Sequence, residues 1–396
     1  MIVSICKILL SRIPWGLLGM LALVAIVETQ FTRHEIDFSS VSACNWRYSA
    51  WQASHRAVTA EVLCLGTSLV KFGVLPQLIE DRTSKRALNL AVFAGHMPAS
   101  FFLLRRALNA GAHPAAVLVD CQDAPVLRER RLEQAEGLRV NLREWPELLR
   151  VGECIDLAYE ARDANFLATM MVSRVLPSYK ARCEIRANIL AALRSQNGSS
   201  RENALMYLKN WICNQGANVV PRNAALQTQQ SSPSEVGGVA PRNAFRHDLW
   251  TRNKLSQAYT HRLLELAASR NIPVFWLLPP LTPPVQAERD ETGVDDYLFE
   301  MVSAAQLRYR NVFIIDGRRS GYKQKAFYDA THLDRQGASV FSADVASLLE
   351  RYFTDPASFP RQVSLPQYHE RPVAVPVIDL DQTRIALERA GLIRRR

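Results

Sequence analysis

The sequence predicts an α/β domain on a mainly parallel sheet, and three observations point that way. Short apolar runs at 62–65, 87–91, 115–119, 272–278 and 312–316 alternate with helix-compatible stretches, the pattern of βαβ units whose strands are covered by helices on both faces. The runs are continuously apolar rather than alternating, as strands buried on both sides must be. At 396 residues and 48% hydrophobic content the chain can bury a large core, which excludes a disordered protein.

Taken in order, the elements begin with an apolar N-terminal stretch. Residues 13–27 carry no charge, and residues 8–10 extend the stretch backwards past Ser11 and Arg12. With Arg12 reaching toward the interface, this approaches the roughly 20 residues that cross a bilayer. Lys7 and Arg12 precede the span and Glu28 follows it, so the positive-inside rule leaves the short N-terminus in the cytoplasm and the rest outside. The expectation is a single-pass anchor over 1–28 in the cell membrane, with the remaining chain on the periplasmic side. A cleaved signal peptide is the competing reading, against which Ile26-Val27-Glu28 is a poor small-residue cleavage site.

A juxtamembrane segment, 29–60, carries Trp46, Tyr48 and Trp51 in a helix-compatible pattern and is expected to pack on the main domain. That domain runs over 61–353. Strand 62–65 leads to a helical turn at 76–80 and strand 87–91 to a helix at 99–110, while His113-Pro114 marks the loop before strand 115–119. Residues 123–196 lack any strand-like run and hold leucines at helical spacing, among them Leu127, Leu138 and Leu148, which predicts an inserted helical subdomain. Residues 197–243 are rich in Asn, Gln, Ser, Gly and Pro and contain a near-duplicate, Val220-Pro221-Arg222-Asn223-Ala224 and Ala240-Pro241-Arg242-Asn243-Ala244. Such composition predicts a mobile loop. The α/β pattern resumes with a helix at 255–269, strand 272–278, a helix at 297–309, strand 312–316 and a helix at 335–352 capped by Asp334. The Pro-punctuated, charged stretch 354–396 reads as a tail.

The formal charge of +10 comes partly from the ends, where Lys7, Arg12, Arg33 and Arg394-Arg395-Arg396 lie. No stripe of Lys and Arg interleaved with aromatics occurs, which sets nucleic acid aside as a partner. The seven cysteines match no disulfide framework or zinc motif. With no Walker loop, dinucleotide fingerprint or metal-ligand cluster in the chain, no cofactor and no metal are expected.

Two segments far apart carry the chemistry. Gly66-Thr67-Ser68 follows the first apolar run, which puts Ser68 in the loop at the carboxyl end of a strand, where parallel α/β sheets present their ligands. Asp329-Ala330-Thr331-His332 precedes the last helix of the domain. A carboxylate three residues before a histidine can accept from Nδ1 and orient the ring, leaving Nε2 to take a serine proton. Ser68, Asp329 and His332 are therefore the candidate catalytic triad, although each segment alone is as compatible with a capping loop. His96 and Asp120 are candidate substrate contacts, with a solvated loop histidine and a salt-bridged or capping aspartate as the alternatives.

With these residues in hand, the chain resembles the SGNH or GDSL-type hydrolases. Gly66-Thr67-Ser68 with Phe72-Gly73-Val74-Leu75-Pro76 looks like that family's nucleophile block. Asn89-Leu90-Ala91 with Gly95 looks like its second block, and Asp329-Ala330-Thr331-His332-Leu333 with Gly337 is similar to its last. The resemblance covers about 61–353 and implies a flavodoxin-like three-layer α/β/α fold. It also implies serine-dependent ester hydrolysis or O-acyl transfer, on acylated envelope carbohydrate or another ester. The oxyanion hole it implies is made by the N–H groups of Ser68 and Gly95. Thr67 stands where the family commonly has Asp, and the third block's oxyanion asparagine has no counterpart in Val119-Asp120-Cys121-Gln122-Asp123, where the Gln122 amide is the candidate substitute. The second reading, from another class, is a catalytically silent module of the same fold that binds glycan or scaffolds an envelope complex. The sequence gives no oligomeric state.

Overall fold

The computed structural model describes residues 15–120, 142–193, 200–222, 254–372 and 376–394. The chain opens with helix α1 (Trp15–Arg33) and helix α2 (Val41–His55), followed by strand β1 (Val62–Leu65), α3 (Ser68–Gly73), α4 (Pro76–Thr83), β2 (Ala87–Asn89), α5 (Met97–Asn109) and β3 (Ala116–Val119). The helical insertion comprises α6 (Trp145–Leu148), α7 (Val151–Ala161), α8 (Ala164–Val175), α9 (Pro177–Lys180), α10 (Arg182–Leu193) and α11 (Ser200–Cys213). Then follow α12 (Lys254–Ala268), β4 (Val274–Leu278), α13 (Pro283–Thr292), α14 (Val294–Arg308), β5 (Val312–Asp316), α15 (Arg335–Thr354), β6 (Gln362–Ser364) and α16 (Leu380–Arg389).

Among the described residues six strands form one sheet in the order β2-β1-β3-β4-β5-β6, and every pair is parallel. Because side chains alternate across a strand, each strand feeds two cores. Leu63, Leu65, Val117, Val119 and Trp276 point into the core shared with α2, α5 and α12. Val62, Cys64, Leu118, Phe275 and Leu277 point into the core shared with α4 and α15. Helices thus cover both faces, as continuously apolar strands require. The chain leaves β1 toward β2 and returns to β3 on the other side, so the connections reverse between β1 and β3. In open parallel sheets ligands bind in the crevice at the carboxyl ends of the strands at such a reversal.

Two expectations about the fold are corrected. The stretch 354–396 is not a tail: β6 pairs with β5 through Ile314–Gln362 and Asp316–Ser364, and α16 packs on α11. Strand β6 is short and largely exposed, so no apolar run announced it. The loop expected over 197–243 is, in its described part, helix α11 followed by the buried residues Ala217, Asn218 and Val219. The asparagines that suggested mobility are hydrogen-bonded inside the protein. Asn210 Oδ1 accepts from Val219 N at 2.9 Å, Asn214 Nδ2 donates to Ile378 O at 2.8 Å, and Asn218 Oδ1 accepts from Trp211 Nε1 at 2.9 Å. Residues 223–243 lie outside the described residues, as do 123–141 of the insertion and the N-terminal residues 1–14.

The juxtamembrane helix α2 joins the main core, with Trp46, Ala50 and Ala53 buried. Trp51 on its other side is exposed. Helix α1 is long and apolar enough to cross a membrane and buries none of its apolar window against the rest of the protein. Among the described residues Cys44, Cys64, Cys154, Cys183 and Cys213 are free thiols.

Candidate active site

The site forms at the carboxyl edge of the sheet. Strand β1 ends at Leu65, and Gly66 turns the chain with φ +123°, a backbone conformation that L side chains rarely adopt. A Cβ there would also lie 1.9 Å from Asp120 Oδ1, so only glycine lets the loop approach the end of β3. Thr67 then caps α3 by accepting from Leu69 N at 3.1 Å. Ser68 follows as the first residue of that helix, where an N–H has no intrahelical acceptor.

Ser68, Asp329 and His332 are brought together. His332 Nε2 lies 2.8 Å from Ser68 Oγ, and His332 Nδ1 lies 2.7 Å from Asp329 Oδ2. The other Asp329 oxygen accepts from Thr331 N at 2.9 Å and from His332 N at 2.8 Å. Burial pushes the Asp329 carboxyl up, but the bond and charge of His332 together with those two backbone donors outweigh it and hold the pKa at about 2. The carboxylate is thus ionised throughout the range in which an imidazole titrates. The ring itself is fixed by stacking: Phe72, one turn after Ser68, lies 4.4 Å from His332 between centroids at 30°.

The loop that carries His332 is tied down at both ends. Tyr328 N donates to His332 O at 2.8 Å, and Phe327 and Leu333 form an antiparallel bridge. Thr282, in the loop after β4, donates from Oγ1 to Ala330 O at 2.6 Å. Asp334 caps α15 by accepting from Gly337 N at 2.8 Å, as its position suggested.

Asp120 is not a substrate contact. It is buried, and its carboxylate accepts from Thr67 N at 2.7 Å and from Thr67 Oγ1 at 2.6 Å. It therefore clamps the residue before Ser68 and links the ends of β1 and β3 across the reversal. The physical reason is the close approach that Gly66 permits, which delivers two donors to one carboxylate.

Gly95 is held for a packing reason as well. A Cβ there would lie 2.5 Å from Gly66 O, and its N–H donates to Val92 O at 3.1 Å. The Gly95 amide thus has an acceptor within its own loop, which corrects its expected place as an oxyanion donor. His96 is half-buried at the N-cap of α5, next to this loop. Gln122 lies outside the described residues.

Two further positioning residues escaped the sequence reading. Asn89 was noted only as part of a block; it is buried and donates to both Val70 O and Val74 O at 2.9 Å, which fixes the C-terminal end of α3. The Phe93 loop is gripped from α2, where Asn45 Oδ1 accepts from Phe93 N at 2.8 Å and Trp46 Nε1 donates to Phe93 O at 2.9 Å. A polar Asn inside the apolar run 87–91 is the available signal for Asn89. None marked Asn45, whose partner is 48 positions away. Compared with known proteins, the chain matches no family model and no curated protein, so the geometry carries the functional reading.

Proposed function

We propose that this protein is a serine-dependent ester hydrolase or O-acyltransferase of the SGNH type, held in the cell membrane by α1 with its catalytic face outside the cytoplasm. The observation that carries the reading is the continuous chain from Ser68 Oγ through His332 to Asp329, with contacts of 2.8 and 2.7 Å. In this reaction Ser68 Oγ attacks the acyl carbonyl carbon while His332 Nε2 takes its proton. The carbonyl π electrons move to oxygen, and the resulting oxyanion meets the Ser68 N–H at the start of α3. Collapse expels the alcohol, which receives the proton from His332, and leaves an acyl group on Ser68. Water or a sugar hydroxyl then repeats the sequence in reverse order. The order 2-1-3-4-5 of the first five strands, extended by β6, supports a flavodoxin-like SGNH fold, as do the block pattern and the place of Ser68 at the reversal. Acylated envelope carbohydrate is the substrate class that the resemblance and the anchor suggest.

The second reading is a silent module of the same fold, and the Gly95 amide favours it, because its bond to Val92 O weakens the oxyanion hole. Loss of one such donor typically costs 10²–10³ in turnover, about 3–4 kcal/mol. The two readings separate in one assay on the full chain in detergent or vesicles, with an activated acetyl ester and an acetylated oligosaccharide as substrates. Turnover that disappears in His332→Ala supports the enzyme. Absence of turnover in the wild type, with saturable binding of the oligosaccharide, supports the silent module.

A further inference from the structure

We propose that the paired ends of α7 and α8 form a lipid-contact patch beside α1, so that the domain rests on the bilayer surface instead of standing off it. The inference depends on the reading of α1 as the membrane anchor, and it adds a second point of contact. Its height follows from α1. The Glu28 carboxylate ends the apolar part of that helix, and a carboxylate in hydrocarbon is costly, so Glu28 marks the level at which the chain leaves the membrane. Glu28 accepts from Ser178 N at 2.8 Å and from Ser178 Oγ. Farther from the membrane, Glu35 pairs with Lys180. The contact with Glu28 therefore holds Ser178 at the membrane level, and the end of α8 lies three residues before it.

In the last turn of α8, Val172 and Val175, three apart on one face, are 39% and 74% exposed. Helix α7 runs antiparallel beside it: Arg174 donates to Leu149 O and approaches Cys154 Sγ at 3.9 Å. The first residue of α7, Val151, is 49% exposed at the same end. Single exposed valines are ordinary; three at one end of a helix pair, at the level where the anchor emerges, form a surface suited to lipid. Next to them Arg182 lies over the Tyr179 ring at 4.0 Å, a cation and an aromatic ring at the height of the head groups. Three valines bind lipid weakly alone, but α1 already holds them at the surface, so the contact needs no affinity of its own.

The test places an environment-sensitive fluorescent amino acid at Val151, Val175, Tyr159 or Leu307 of the full chain, reconstituted at low density in vesicles with or without bromolipid. Tyr159 and Leu307 are exposed, and Tyr159 lies at the opposite end of α7. Flotation with the vesicles reports the anchor separately. The proposal expects blue-shifted emission at 151 and 175 and bromolipid quenching at least twofold stronger than at 159 and 307. Equal quenching at all four sites in a chain that floats overturns the patch while leaving the anchor. A blue shift that grows with protein density and ignores bromolipid also overturns it, in favour of contact with a second copy. A chain that does not float overturns both.

Discussion

At the residue scale, the site depends on two carboxylates with opposite duties. Asp329 binds the imidazole, whereas Asp120 holds Thr67 so that Ser68 begins α3 in the right place. Asp120→Ala leaves the buried Thr67 N–H and hydroxyl without acceptors and is expected to destabilise the protein by about 2–3 kcal/mol. Because Asp120 acts through position, kcat on an activated ester should fall while KM stays close to the wild type, and Asp120→Asn, which still accepts from Thr67 N, should recover part of the loss. An unchanged kcat in Asp120→Ala would remove it from the site. For Asp329, whose folded pKa of about 2 lies below the ordinary 3.8, the sign is that of a depressed acid. Its contribution to stability is full above about pH 4 and is lost as pH falls toward 2. Asp329→Asn should therefore cost stability at pH 6 and progressively less between pH 4 and pH 2 in denaturant titrations; a constant cost would mean that the carboxylate is not held by His332.

At the element scale, α3 is short and is stabilised mainly by what surrounds it. Thr67 caps its start, Asn89 satisfies two carbonyls at its end, and Ser342 donates to Gly73 O at 2.8 Å. One residue on this helix opposes folding. Lys71 is fully buried, its Nζ has no hydrogen-bond partner among the described residues, and its nearest aromatic contact is the Trp211 ring at 5.4 Å. Burial pushes its pKa well below the ordinary 10.5, so the charged form is disfavoured in the folded state relative to the unfolded chain. That penalty is present below pH 10.5 and grows as pH falls toward the folded pKa. Lys71→Met is expected to stabilise the protein, on the order of 2 kcal/mol near neutral pH, and by less at pH 10. Destabilisation at pH 7 would show that Lys71 has a charged partner. The C-terminal elements offer a second test at this scale. Deleting 355–396 removes β6 from the sheet edge and Ile378 O from Asn210 and Asn214, so the shortened chain should fail to fold, seen as loss of a cooperative thermal transition.

At the scale of the whole molecule, much of the architecture could be read from the sequence because continuous apolar runs such as 62–65 and 312–316 admit few alternatives to buried parallel strands. Ser68, Asp329 and His332 were legible for a related reason, since their loops adjoin strongly patterned elements. What escaped was held by long-range hydrogen bonds between polar side chains. Asn210 and Asn214 read as loop composition because nothing local shows that their shared partner, Ile378 O, arrives from the far end of the chain. Asp120 read as either a substrate contact or a salt-bridged or capping aspartate, because the close approach at Gly66 that decides between them belongs to the sheet, not to either segment. Activation of Ser68 as a nucleophile by His332 is tested most directly by covalent labelling of the full chain with a fluorophosphonate, the modified peptide being mapped by mass spectrometry. One adduct is expected, on Ser68, absent in Ser68→Ala and slowed by at least about 10²-fold in His332→Ala. Labelling that persists in Ser68→Ala, or that proceeds at the wild-type rate in His332→Ala, would contradict that activation.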